Sequence, residues 1–196
     1  MEAVDTAAHW EATFLPIAGI PLTRGWFRQD DFPNNAVLYG QVGRRDYLAW
    51  LHRLAVRYVV LSDATPDYSA AAEGRLLRSG RSGMQLVFRS RHLVIYAVPD
   101  PKPIIRPAAL SRVLQMTPGG LRLRTDRAGT YHVAVRYSAY WHASGSCIRP
   151  GPGGMTELVV QRPGTIDLDL NITAGAAVGS LLGVQPNCPA SHRESR

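Results

Sequence analysis

Lysine is almost missing from this sequence. Lys102 is the single lysine among 22 basic residues, and arginine supplies the rest. Against 15 acidic residues this leaves a formal charge of +7. Nucleic-acid surfaces gather Lys and Arg into clusters on one face. Here the arginines are scattered along the chain and alternate with apolar residues, and the stacking motifs of RNA modules are absent. The excess therefore reads more as coding bias than as a polyanion surface; no nucleic-acid partner is expected, and a nucleic-acid binder stays as a third reading that rests on charge alone. Cysteine is also scarce, at two residues, too few for a disulfide-dense scaffold.

Long apolar runs are missing as well. No window reaches the roughly 18 to 20 apolar residues of a membrane-spanning helix. The stretch 47–61 is broken by His52, Arg53 and Arg57. The stretch 172–184 spaces Gly175, Gly179 and Gly183 as transmembrane helices do, but it is too short to span and reads as a small-residue strand or loop. The first residues, Met-Glu-Ala-Val-Asp-Thr, show no basic region followed by an apolar one, the pattern of a signal peptide. No internal repeat is visible. What is there is 196 residues, 45% hydrophobic and 19% charged, enough for one large domain or two small ones in water.

Pro99, Pro101, Pro103 and Pro107 divide the chain. Proline fixes φ and removes a backbone donor, so neither a helix nor a central strand continues through this stretch. The expected organisation is an α/β domain over 1–100, a proline-rich linker over 101–107, a β domain over 108–190 and a disordered tail over 191–196. Before the linker the pattern predicts helices over 44–55 and 68–79, a buried strand over 57–61, and two strands over 84–88 and 93–98. After it the period becomes two. Tyr131, Val133, Val135 and Tyr137 share one face, and Ile166, Leu168, Leu170 and Ile172 alternate with Asp167, Asp169 and Asn171. The fold class expected is α+β, a small α/β layer followed by an antiparallel β-sandwich.

Motifs that carry chemistry fail one by one. The six histidines, His9, His52, His92, His132, His142 and His192, include no pair at zinc-binding spacing, and no metal or other cofactor is expected. The run 167–171 imitates a calcium loop, but Ile172 replaces the glycine and Val178 the bidentate acid. It also imitates a DxD signature, yet strand alternation already explains both aspartates as a solvated face. The glycine run 151–154 lacks both the dinucleotide spacing and a Walker lysine, and no serine sits in a G-x-S-x-G elbow. No catalytic residue is assigned.

Two clusters remain as candidates. Arg136, Tyr137, Tyr140, Trp141 and His142 combine aromatic faces with hydrogen-bonding groups, as a carbohydrate contact does, although aromatics are more often core, and packing at one end of the β domain is the blander reading. Trp26, Arg28, Gln29, Asp30 and Asp31 lie in a predicted loop dense in aromatic and charged residues, where a Trp anchoring the loop is the alternative reading. Cys147 and Cys188 both fall in loops of the second half. Paired, they close a loop of about 40 residues, worth about 4 kcal/mol in the chain-entropy model, and place the domain in an oxidising compartment; two unpaired thiols are the alternative.

Arg24-Gly25-Trp26-Phe27-Arg28-Gln29, Leu38-Tyr39, and Tyr47-Leu48-Ala49-Trp50-Leu51 running into Val56 to Leu61 together bring in a family. So do Gly129 to Val133, Tyr140-Trp141, Cys147, Gly154-Met155-Thr156 and Cys188. Nearly the whole chain resembles the C-terminal extracytoplasmic region of bacterial polytopic GT-C glycosyltransferase-like membrane proteins, some of which carry the label 6-pyruvoyl-tetrahydropterin synthase-related membrane protein. The resemblance implies a location at the outer face of the cytoplasmic membrane and a membrane-embedded parent or partner transferase. It also implies work on a cell-envelope glycan or lipid-linked sugar. The family's catalytic carboxylate lies in a loop between membrane helices with no counterpart here, and the pterin synthase label implies a three-histidine zinc site that this spacing does not match. The chain reads as if cut just after a membrane region, within a strand over 2–4. The expected function is a non-catalytic accessory domain, for which an anionic membrane surface is a further partner suited to the charge. The alternative is a free-standing carbohydrate-binding protein using an aromatic surface on the β-sandwich.

Overall fold

The computed structural model describes residues 1–24, 32, 34–117 and 119–171. These form a mixed α+β structure with three α-helices and twelve strands in three four-stranded sheets. The chain divides into two compact units, Met1–Lys102 and Pro103–Arg196.

The first unit runs β1 (Glu2–Ala3), α1 (Trp10–Ile17), α2 (Arg44–Arg53), β2 (Tyr58–Ser62), α3 (Ala71–Arg78), β3 (Gln85–Arg89) and β4 (Leu93–Ala97). Its sheet has the order β1-β2-β4-β3, with β1 parallel to β2 and the other pairs antiparallel. Parallel neighbours need a long crossover, and the chain carrying α1 and α2 supplies it. Val59, Val60 and Leu61 of β2 are all buried, which is why that run is apolar on both faces. Tyr47, Trp50 and Leu51 are the buried residues of α2, at the i, i+3, i+4 spacing of a single stripe.

Three details depart from the sequence expectation. Helix α3 begins at Ala71 rather than Tyr68, because the Ser69 amide and hydroxyl both donate to Asp67 Oδ1, at 2.9 and 2.7 Å, and hold an Asx turn ahead of the helix. Helix α1 has no counterpart in the periodicity, being a short segment with Pro16 inside it and Phe14 and Ile17 exposed. Strand β3, an edge strand paired only with β4, is exposed along its length despite Leu86, Val87 and Phe88.

The second unit contains β5 (Ile105–Arg106), β6 (Ser111–Thr117), β7 (Gly120–Thr125), β8 (Gly129–Arg136), β9 (Trp141–Ala143), β10 (Cys147–Pro150), β11 (Met155–Val160) and β12 (Gly164–Leu170). They make two antiparallel sheets, ordered β10-β11-β8-β5 and β6-β7-β12-β9. A single apolar cluster draws on both. Ile105, Tyr131, Val133, Ile148 and Leu158 come from the first sheet, and Leu121, Leu123, Ile166 and Leu168 from the second. Each aliphatic side chain fully buried in this way contributes about 1.5–3 kcal/mol.

Residues 105 and 106 form β5, so the stretch expected as a linker contributes a strand. It is an edge strand, the one place in a sheet that tolerates flanking proline. Between β10 and β11 the glycine run makes the expected turn, with Gly153 and Gly154 at φ of 66° and 73°, a region glycine enters without steric cost. The inward set on β12 ends sooner than expected. Ile166 and Leu168 are in the core, but Leu170 is exposed because the cluster stops at Leu168. On β8, Tyr131 and Val133 point into the core as expected, while Ala134 of the opposite set is buried too. Residues 172–196, with the GxxxG glycines, Cys188 and the expected tail, lie outside the described residues.

Candidate functional site

The first unit places charge where apolar packing is the norm. Arg24 is buried, with Nε donating to Glu2 Oε1 at 2.7 Å, Nη2 to Glu73 Oε2 at 2.9 Å, and Nη1 standing 3.6 Å from Asp5 Oδ2. Tyr47 donates its hydroxyl to Glu73, and Thr23 donates its own to Glu2. The network joins β1, the segment after α1, α2 and α3. Its acids outnumber its cation. Burial pushes Glu2 well above the usual carboxylate range, Glu73 adds to the effect, and Arg24 opposes it. Burial lifts Asp5 to about 6 despite the neighbouring Arg24. Burial works against the Arg24 charge, but Glu2, Glu73 and Asp5 outweigh it and hold the guanidinium firmly protonated. Tyr47 is raised by burial and by Glu73, so it stays a neutral donor.

Beside this network Asp5, His9 and Glu11 converge. Ligand atoms from the three lie within 4.8 Å of one another, the spacing of groups that hold one cation. The chain brings them together over seven residues. Asp5 follows β1, His9 precedes α1 in a left-handed conformation at φ 51°, and Glu11 opens the helix. Both Glu11 oxygens also accept from Thr6, from its amide at 2.6 Å and its hydroxyl at 2.9 Å, which fixes the carboxylate. The signal that finds this group is the local spacing Asp-x3-His-x-Glu.

In the second unit the aromatic cluster is only partly presented to solvent. Trp141 is half-buried, packs against the apolar cluster and donates Nε1 to the Arg136 carbonyl at 2.8 Å. The Tyr137 hydroxyl is buried without a partner among the described residues, and burial raises its pKa. Arg136 and Tyr140 are half-buried, whereas His142 is exposed. Strand alternation explains the split, since Trp141 and His142 are consecutive on β9 and face opposite ways.

His142 stands opposite Asp169 across β9 and β12. Next to that pair lies a polar trough of about 110 Å³, lined by Gln115, Thr117, Gly120, Leu121, Arg122, Asp167 and Asp169. Arg122 donates Nε to Asp167 Oδ1 at 2.6 Å, and this pairing raises the guanidinium pKa. The Asp169 carboxylate has no hydrogen bond or ion pair among the described residues. Gly120 leaves no room for a side chain, because a Cβ there would lie 2.8 Å from the Leu168 carbonyl. The aspartates read from sequence as a solvated face are the walls of this trough.

The chain matches no family model, no curated protein and no solved structure. What the sites can do therefore follows from their own geometry. The loop candidates Trp26, Arg28, Gln29, Asp30 and Asp31 lie outside the described residues, as does Cys188. Cys147, the expected partner of Cys188, opens β10 in a half-buried position. Among the described residues no helix is long and apolar enough to cross a membrane.

Proposed function

We propose that the second unit is an antiparallel β-sandwich that binds a glycan without catalysing its transfer. It serves as an accessory to a membrane-embedded, glycosyltransferase-like protein at the outer face of the cytoplasmic membrane. The observation that carries the reading is the trough on β6, β7 and β12. It offers a guanidinium, two carboxylates, an amide and a hydroxyl on one rigid sheet face, with exposed His142 at its rim. Sugar hydroxyls both donate and accept, so a short row of charged acceptors and donors recognises them, and sites built on strands hold such groups precisely in register. Trp141 supports this face from beneath instead of stacking on the sugar, since its ring packs against the apolar cluster and its indole N–H donates to the Arg136 carbonyl. The arginine excess suits the anionic lipid surface that such a location supplies, and a Cys147–Cys188 bond suits its oxidising conditions.

The same trough serves the second reading, a free-standing carbohydrate-binding protein. Binding of the purified chain to an array of cell-envelope glycans tests both. Arg122→Gln and Asp167→Asn are expected to weaken binding at least tenfold while Trp141→Phe leaves it within about twofold. Glycan binding indifferent to Arg122 and Asp167 removes the trough from the account. Mass mapping that finds both thiols free in protein recovered from an oxidising compartment removes the extracytoplasmic placement. An upstream reading frame rich in apolar helices separates the accessory reading from the free-standing one.

A further inference from the structure

Asp5, His9 and Glu11 offer one imidazole nitrogen and two carboxylate oxygens within 4.8 Å of one another. That separation is a side-chain adjustment away from the roughly 2.0–2.2 Å bonds zinc makes to such donors. The place is also suited to a ligand. Asp5 lies just past the carboxyl end of β1, where Thr6 bridges to Pro66 and the Asp67 amide donates to the Asp5 carbonyl at 2.8 Å. The loops leaving the two parallel strands β1 and β2 thus meet there, and ligands of α/β sheets collect beyond the carboxyl ends of parallel strands. The charge balance points the same way. Glu2, Asp5, Glu11 and Glu73 are all buried, and Arg24 is the one buried guanidinium among the described residues.

We infer that Asp5, His9 and Glu11 form a three-ligand site for a divalent transition cation of the zinc type, at the junction of β1 and α1. Imidazole together with carboxylate selects zinc or its neighbours over magnesium, which prefers an all-oxygen shell. Each Glu11 oxygen retains a lone pair after accepting from Thr6, so the Thr6 bonds orient the ligand instead of excluding the ion. Three protein donors leave a further coordination position for water or a small ligand. The ion ties the end of β1 to the start of α1.

The test uses the full chain stripped of metal, with Zn²⁺ as the probe and Mg²⁺ at equal concentration as the control. Zn²⁺ is expected to bind with one equivalent per chain at this site, to raise the thermal midpoint, and to protect His9 from diethyl pyrocarbonate while His52, His92, His132, His142 and His192 serve as internal references. Mg²⁺ is expected to do none of this. His9→Asn keeps a residue that tolerates the left-handed backbone, and should weaken Zn²⁺ binding at least tenfold with the far-ultraviolet dichroism unchanged. His9 modified as fast with Zn²⁺ as without it, equal Zn²⁺ affinity in wild type and variant, or no Zn²⁺ binding to the wild type each overturns the assignment. Should His9→Asn fail to fold, His9 protection in the wild-type chain decides alone.

Discussion

The Met1–Lys102 unit keeps its principal ion pairs inside, while the Pro103–Arg196 unit keeps its own at the surface. Arg24 and Glu2 have side chains 2% and 0% exposed, against 52% and 41% for Arg122 and Asp167. A buried pair does not thereby stabilise more. Desolvating both charges offsets much of their attraction, and a well-packed apolar replacement is often as good or better. What the buried network adds is selectivity. Glu2, Arg24, Tyr47 and Glu73 sit on β1, the following segment, α2 and α3, and a packing of these elements that separates them leaves a charge buried alone. Among its described residues the second unit has no such device in its apolar cluster and takes its order from strand register instead.

The sharpest way to break this comparison is Arg24→Met. It leaves Glu2, Asp5 and Glu73 buried without their guanidinium, and removing one partner of a buried pair costs about 3–5 kcal/mol. Amide hydrogen exchange should show protection falling in β1 and β2 and holding in β8 and β11. Leu168→Ala is the matched change in the second unit, where a fully buried leucine is lost from the core. About 3 kcal/mol is expected, mid-range for a buried Leu→Ala, with the reverse exchange pattern. Equal loss of protection in both units from either substitution would mean that the chain unfolds as one body and that the contrast carries no energetic meaning.

Legibility in the sequence followed the same divide. Elements whose signal is a period were read well. The apolar run of β2, the stripe of α2 and the alternation of β12 each place their buried residues in the core. Elements specified by pairing partners far along the chain were not. Strand β5 is two residues long and exists only through Ile105 and Arg106 meeting Val133 and His132 on β8. The Arg24 network was invisible because its hydrogen-bonded partners are separated by as many as 49 residues and meet only when the layer closes. The trough was not legible for a related reason. Alternation says that Asp167 and Asp169 face outward, but not that Arg122 and Gln115 of neighbouring strands stand beside them. Asp5, His9 and Glu11 are close in sequence, but only the left-handed turn at His9 ahead of α1 brings their side chains together.

The smallest expected effect concerns the one charged row on the first sheet of the second unit, where Arg106, His132, Glu157 and Arg149 stand opposite one another on β5, β8, β11 and β10. Burial lowers the His132 pKa, Arg106 lowers it further, and Glu157 opposes both, its carboxylate being already shared with Arg149 at 2.8 Å. The unfolded value is about 6.5. Because the folded value is lower, the unfolded chain binds the proton more tightly. The His132 contribution is therefore fully present above 6.5, declines as the pH falls through that value, and levels off below the folded pKa. Urea midpoints at pH 7.5 and 5 should show a drop in the wild type that is smaller in His132→Gln, the carboxylates titrating alike in both. Glu157→Gln removes the opposing charge and should steepen the wild-type drop. Identical pH dependence in all three proteins would mean that His132 is no more desolvated than the chain around it, and that the surface of the second unit is as indifferent to charge as its apolar cluster.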